Sequence, residues 1–124
     1  VLAHTWQKAT GNMTRESTGY HAVNVVRRYP DLRLWIAHCN GRWEEAARLV
    51  ASYPNLCMDI SGGEPEEGIV ECLLRHVSSE RIFFGSDAPG RNPAAQMAKV
   101  LSARIPEETK KRILGQNVWR WLHD

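Results

Sequence analysis

The sequence predicts an α/β fold made of consecutive parallel β/α units. Three observations predict it. Short strand-like runs alternate with segments of helical periodicity, the pattern of βαβ units. A Tyr-Pro-Asx-Leu motif stands at Tyr29-Pro30-Asp31-Leu32 and returns 24 residues later, at Tyr53-Pro54-Asn55-Leu56, both times where a helix gives way to a strand. Four predicted strands end in a residue able to bind a metal or move a proton, or in a polar group that supports one: His4, His38, Asp59 with Ser61, and Asp87. In a parallel sheet or barrel the carboxyl ends of the strands open on one face, and loops there build the active site.

Val1–Thr5 reads as the first strand and Gln7–Thr18 as a polar loop. Ser17 or Thr18 is the expected N-cap of the helix that follows. In that helix Ala22, Val25, Val26 and Tyr29 fall at i, i+3, i+4 and i+7, which predicts one apolar face. Pro30 ends it, because proline lacks the N–H and restricts Tyr29 before it. Arg33–His38 is the second strand, followed by a tight Cys39-Asn40-Gly41 loop. Trp43, Ala46, Ala47 and Val50 repeat the helical spacing. Asn55–Ser61 is the third strand, then Gly62-Gly63, and Val70, Leu73, Leu74 and Val77 mark the third helix. Arg81–Asp87 is the fourth strand. Pro93–Ala103 and Glu107–Leu114 read as helices, and Val118, Trp121 and Leu122 belong to a last turn or helix.

The chain has 124 residues, which bounds it to one domain, residues 1–124. A closed (β/α)₈ barrel takes about 250 residues, so four units predict a half-barrel with two open edges. With no initiator Met and an opening inside a strand, the chain is expected to be a piece of a longer protein. Inward-facing Leu34, Ile36, Met58 and Phe83 are then expected to lose partners and leave an apolar surface that favours homo-oligomers.

Charge excludes some function classes. Sixteen Lys and Arg against fourteen Asp and Glu leave +2, spread along the chain, which argues against nucleic acid. No apolar run reaches the roughly 18–20 residues of a membrane span. Three cysteines, Cys39, Cys57 and Cys72, with no CxxC, argue against a disulfide framework or zinc ribbon, and free thiols fit a cytoplasmic, reducing compartment. The expected partner is a small-molecule substrate.

His4, His38 and Asp87 carry the chemistry. Imidazole and carboxylate are the usual nitrogen and oxygen ligands of zinc and similar ions. A metal lowers the pKa of bound water toward ~7, and a nearby base takes its proton. On the following loops Arg15 and Arg91 are placed to bind an anionic substrate group, and Trp6 to wall the pocket. His21, His76 and His123 fall on predicted helices, as surface residues.

Five stretches stand out together: Val1-Leu2-Ala3-His4-Thr5-Trp6, Tyr29-Pro30-Asp31-Leu32 into Ile36-Ala37-His38, Tyr53-Pro54-Asn55-Leu56 into Asp59-Ile60-Ser61-Gly62, Ile113-Leu114-Gly115-Gln116-Asn117 and, most specific, Glu80-Arg81-Ile82-Phe83-Phe84-Gly85-Ser86-Asp87-Ala88-Pro89. With them the chain resembles the carboxyl-terminal half of the metal-dependent amidohydrolase superfamily, in the amidohydrolase-2 branch that includes aminocarboxymuconate semialdehyde decarboxylase. The resemblance implies the C-terminal half of a TIM (β/α)₈ barrel, strands five to eight and the closing helices. It implies His4 as a metal ligand, His38 as base or ligand of a second metal, and Asp87 as ligand and proton shuttle. The metal would be zinc, with manganese, iron or cobalt as alternatives. The family's strand-one His-x-His pair does not occur here, so the chain by itself is expected to be inactive. Three functions follow as expectations: a metal-dependent hydrolase of a small molecule, a non-oxidative decarboxylase on the same site, or a half-barrel without catalysis that serves as an interaction module.

Overall fold

The computed structural model describes residues 1–64 and 66–123. Four strands form one parallel sheet in sequential order: β1 (Leu2–Ala3), β2 (Leu34–Ile36), β3 (Leu56–Asp59) and β4 (Ile82–Phe83). Parallel neighbours need a crossover, and helices supply it: α1 (Gly19–Arg28), α2 (Trp43–Ser52) and α3 (Ile69–Leu74). After β4 come α4 (Pro93–Leu101), α5 (Glu107–Lys111), a π-helical turn (Arg112–Gln116) and α6 (Asn117–His123). No described helix is long and apolar enough to cross a membrane.

Register sorts the side chains. Leu34 pairs with Leu56, Ile36 with Met58, and Met58 with Ile82. These residues face the helices and form the core with Val26, Ala46, Val50, Val70 and Leu73. Trp35, Cys57, Asp59 and Phe83 alternate onto the opposite face, the one that lines the interior of a barrel.

The four residues expected to be left exposed are buried. Leu34, Ile36, Met58 and Phe83 are only 4%, 0%, 0% and 1% exposed. The first three belong to the sheet–helix core rather than the barrel interior. Phe83 does face the interior, but the Trp35 and Trp121 rings cover it at centroid distances of 4.7 and 5.5 Å. The exposed apolar residue of that face is Leu2, at 59%.

The repeated Tyr-Pro-Asx-Leu motif has a structural basis. In each copy the Leu N–H bonds the Tyr carbonyl, Leu32 to Tyr29 at 3.0 Å and Leu56 to Tyr53 at 3.1 Å. The two copies are also joined, since Asn55 Nδ2 donates to the carbonyls of Pro30 and Leu32 at 3.0 and 3.1 Å. Arg81 extends the tie by donating to Val50 and Tyr53 carbonyls at 2.8 and 2.9 Å.

Thr18 is the N-cap of α1, as expected. The buried stripe of that helix is Gly19, Ala22, Val23 and Val26, so the face is rotated from the expected one, and Val25 and Tyr29 are exposed. The reason is the close seat of Gly19, where a Cβ would meet Leu49 at 2.8 Å. The strands are shorter than expected. Beyond Phe83, the Phe84 N–H turns to the Ile113 carbonyl at 2.9 Å. Asn117 Nδ2 donates to the Ile82 carbonyl at 2.9 Å. The outer edge of β4 is thus satisfied by the π-helical turn and α6, which run on from α5 where a separate last turn or helix was expected.

Candidate active site at the carboxyl ends of the strands

His38 stands one residue past the helical-region start that ends β2, in a turn of unusual backbone. His38, Cys39 and Asn40 all have positive φ, at 61°, 43° and 58°. The left-handed region is unfavourable for non-glycine residues, about 1–2 kcal/mol each, so three in succession need support from around them. Asp59 Oδ1 accepts the His38 N–H at 2.9 Å. Cys39 Sγ donates to the Asp59 carbonyl at 2.9 Å. Asn40 Oδ1 accepts from Gly19 N–H and its carbonyl from Gln7 N–H, both at 2.6 Å. The turn is held by three separate segments, and strain of this kind clusters at functional sites.

The Asp59 carboxylate is buried and accepts from four donors. Oδ1 takes the N–H groups of His38 and Ser61 at 2.9 Å each and the Ser61 hydroxyl, and Oδ2 takes the Trp35 indole N–H at 2.7 Å. A serine has one proton to donate, and that proton goes to Asp59. The Ser61 oxygen, 2.8 Å from Nδ1 of His38, therefore accepts. That places a proton on Nδ1 of His38, and in the neutral ring Nε2 then carries the free lone pair.

The His4 ring lies beside His38, edge to face, with centroids 4.9 Å apart, and Trp6 packs on His38 at 5.9 Å. Trp6 is seated by Gly41, whose φ is +68° and where a Cβ would lie 2.9 Å from the indole. Trp6 borders two cavities. One of about 330 Å³ is bordered by His38, Ser61, Gly62, Trp43, Lys99 and Arg91. The other, about 270 Å³, is bordered by His4, Lys8, Asn12, Arg15 and Glu16. Arg15 has positive φ, 77°, and a Lys8–Glu16 ion pair closes the same loop. The Lys8 ammonium holds the Glu16 carboxyl below its ordinary pKa. Arg91 pairs with Glu64 at 3.3 Å in an exposed position.

Asp87 lies on the loop after β4, exposed, with φ 55°. Its carbonyl accepts from Arg91 N–H at 2.9 Å. The loop is brought to the others at Gly85, where a Cβ would meet Ser61 Cβ at 2.9 Å and Asp59 Cγ at 3.5 Å. The structure thus brings His4, His38 and Trp6 into one cluster, puts Arg15 and Arg91 on cavities either side of it, and leaves Asp87 on the adjoining loop. The donor types suit a divalent ion. Among the described residues, however, no group of three or more His, Cys, Asp or Glu side chains is drawn together to hold one.

Two residues that sequence reasoning missed are Gln96 and Lys99. Both are buried on α4, and Lys99 Nζ reaches the Ile60 and Gly62 carbonyls at 2.8 and 2.6 Å. The signal was present: 96, 99, 100 and 103 form an i, i+3, i+4, i+7 stripe facing the core, and two of its members are polar.

A family model described as Amidohydrolase matches residues 7–123. No curated protein matches the chain. Solved structures do. A dihydroxybenzoic acid decarboxylase from a Polaromonas species, with bound manganese and the inhibitor 2-nitroresorcinol, is 15% identical with a TM-score of 0.69, over 85% of this chain and 39% of that one. A TIM-barrel protein from Bordetella bronchiseptica is 19% identical with a TM-score of 0.71, over 99% of this chain and 45% of that one. An amidohydrolase from Burkholderia multivorans with bound zinc is 18% identical with a TM-score of 0.67, over 85% of this chain and 50% of that one. The chain therefore spans between about two fifths and one half of the solved structures it matches, and its four β/α units are part of a TIM barrel.

Proposed function

Because this chain belongs to the amidohydrolase family, we propose that it carries the proton-transfer half of a metal-dependent hydrolase acting on a small molecule. The observation that carries the reading is the Asp59–Ser61–His38 chain of hydrogen bonds, which leaves Nε2 of His38 as a free base beside His4. A general base must present a lone pair within hydrogen-bond reach of the proton it takes. His38 meets the first condition in its resting tautomer.

In this reading His4 and Asp87 are the residues of the chain that would hold a divalent metal, zinc or manganese by the solved neighbours, together with donors from outside residues 1–124. Such an ion supplies Lewis acidity and an acidified water. His38 takes the proton from the attacking water and returns it to the leaving group. Asp59 and Ser61 keep the imidazole oriented while it is charged. Trp6 excludes water between the two cavities, and Arg15 and Arg91 bind the substrate's anionic group from either side.

A second reading, non-oxidative decarboxylation of a small carboxylic acid, is supported by the decarboxylase among the structural neighbours. There Nε2 of His38 would first take up a proton from solvent and then deliver it to the carbon that loses CO₂. The deciding experiment takes the natural protein containing this chain, loaded with zinc or manganese, and assays a panel of amides, lactones and aromatic acids for ammonia, acid and CO₂ release. Ammonia or acid release supports the hydrolase, and CO₂ release the decarboxylase. Absence of all three with metal bound refutes both.

A further inference from the structure

Gln96 and Lys99 occupy core positions that an apolar side chain would fill at lower cost, being 2% and 5% exposed. Lys99 Nζ donates to the Ile60 carbonyl at 2.8 Å, the Gly62 carbonyl at 2.6 Å and Gln96 Oε1 at 2.8 Å. Gln96 Nε2 donates to the Gly63 carbonyl at 3.3 Å. A neutral amine has two protons and an ammonium three, so three acceptors specify the ammonium. Burial draws the Lys99 pKa below its ordinary value, and the Asp59 charge opposes that shift. None of the three acceptors is a carboxylate. Two of them are backbone carbonyls, and both belong to one turn.

That turn is the one that carries Ser61. Gly62 and Gly63 have φ of +70° and +60°, so the chain there has left the sheet ladder. Gly62 lies against the His38 ring, where a Cβ would stand 2.7 Å from Nδ1. The position of the turn therefore sets two things together: where the Ser61 hydroxyl sits, and how closely the His38 ring approaches it.

We propose that Lys99, assisted by Gln96, is a positioning residue for His38. It clamps the 60–63 turn so that the Ser61 hydroxyl accepts from Nδ1–H and the ring is held in the tautomer with Nε2 free. Because α4 begins five residues after the loop residue Ala88, the same short helix ties the Asp87 loop to the His38 turn. The clamp itself stands on geometry. Its catalytic consequence rests on the reading of His38 as the base.

The test is the ring tautomer, read by ¹⁵N NMR on the metal-free, histidine-labelled natural protein, with the His38 signals assigned by their loss in His38→Gln. Wild type should show Nδ1–H. Lys99→Met, of similar length and without donors, should shift the tautomer ratio toward Nε2–H by about five- to tenfold, the worth of one hydrogen bond. Ser61→Ala should do the same, and adding Lys99→Met to Ser61→Ala should change the ratio no further. In activity assays Lys99→Met should lower kcat and leave KM near its wild-type value.

A wild-type ring in the Nε2–H form overturns the proposal without any variant. So does a folded Lys99→Met protein with an unchanged ratio, or an additive effect on the Ser61→Ala background. If Lys99→Met does not fold, Gln96→Met decides, since it leaves Lys99 its two carbonyls. A smaller shift in the same direction supports the clamp, and none refutes it. If the tautomer behaves as expected while His38→Asn keeps full activity, the clamp stands and the base assignment fails.

Discussion

The indole N–H of Trp35 donates to Oδ2 of Asp59 at 2.7 Å. The two residues come from neighbouring strands and share the barrel-interior face, so the aromatic lining of that face and the carboxylate beneath His38 form one unit. Asp59→Asn replaces an acceptor with an amide in a pocket where every neighbour donates. It should lower stability by about 1–3 kcal/mol for each donor left without a partner. Trp35→Phe keeps the ring and removes one donor, so it should cost less. Urea unfolding of both variants checks the order, and a more stable Asp59→Asn protein would contradict the network.

Asp87→Asn in the natural protein should abolish turnover with the melting temperature near wild type, because Asp87 is exposed and contributes little to packing. His4→Asn should lower bound metal as well as turnover. His38→Asn should cut turnover strongly, by about 10²–10⁴-fold if it is the general base, and change metal content less. Turnover, bound metal and melting temperature measured together separate the three roles. A fully active Asp87→Asn enzyme would refute the assignment.

The thiols should differ in reactivity. Burial pushes Cys57 up to about 11 and Cys39 higher still, with Asp59 adding to the Cys39 shift. Thiolate is the reactive form, so a thiol reagent near neutral pH should label Cys72 quickly in the folded chain and Cys39 and Cys57 only on unfolding.

The same shifts fix a sign for stability. The unfolded chain releases these thiol protons near pH ~9, before the folded one does, so the folded state binds more protons and stability falls as pH rises from about 9 toward 11. The slope is roughly 1.4 kcal/mol per pH unit for each thiol. Cys57→Ala should flatten it, and an unchanged slope in that variant would refute the burial account.

Asn117 should be costly to replace. Its Nδ2 bonds the Ser79 and Ile82 carbonyls at 2.6 and 2.9 Å, and the side chain is buried. Asn117→Leu leaves both carbonyls of the β4 edge unpaired and should lower stability by about 1–3 kcal/mol. The exposed edge should also raise self-association. Denaturant midpoints and sedimentation test the two effects separately.

Much of the fold was legible because it is written in local periodicity. The apolar spacing of α2 gave its buried face, and the repeated Tyr-Pro-Asx-Leu marked two equivalent junctions. Strand-end His4 and His38 pointed to one end of the sheet, where their rings do meet. The buried face of α1 was misread by one step. Periodicity alone admitted two neighbouring stripes, and the close seat of Gly19 chose between them.

The amino-acid order by itself determined the parallel β/α succession, the placement of His4, His38, Asp59 and Asp87 at or just beyond the carboxyl ends of the strands, and the polar members of the α4 stripe. Only the tertiary structure decided what those groups touch. Ser61 meets His38 across 23 residues of chain and Lys99 meets Ile60 across 39. Periodicity reports the face on which a side chain lies, a property of a few neighbouring residues. A hydrogen-bond partner depends on how separate elements pack, and so on the left-handed turn at His38 and the clamp beneath Ser61. That packing converts a row of polar strand ends into an imidazole with a defined tautomer.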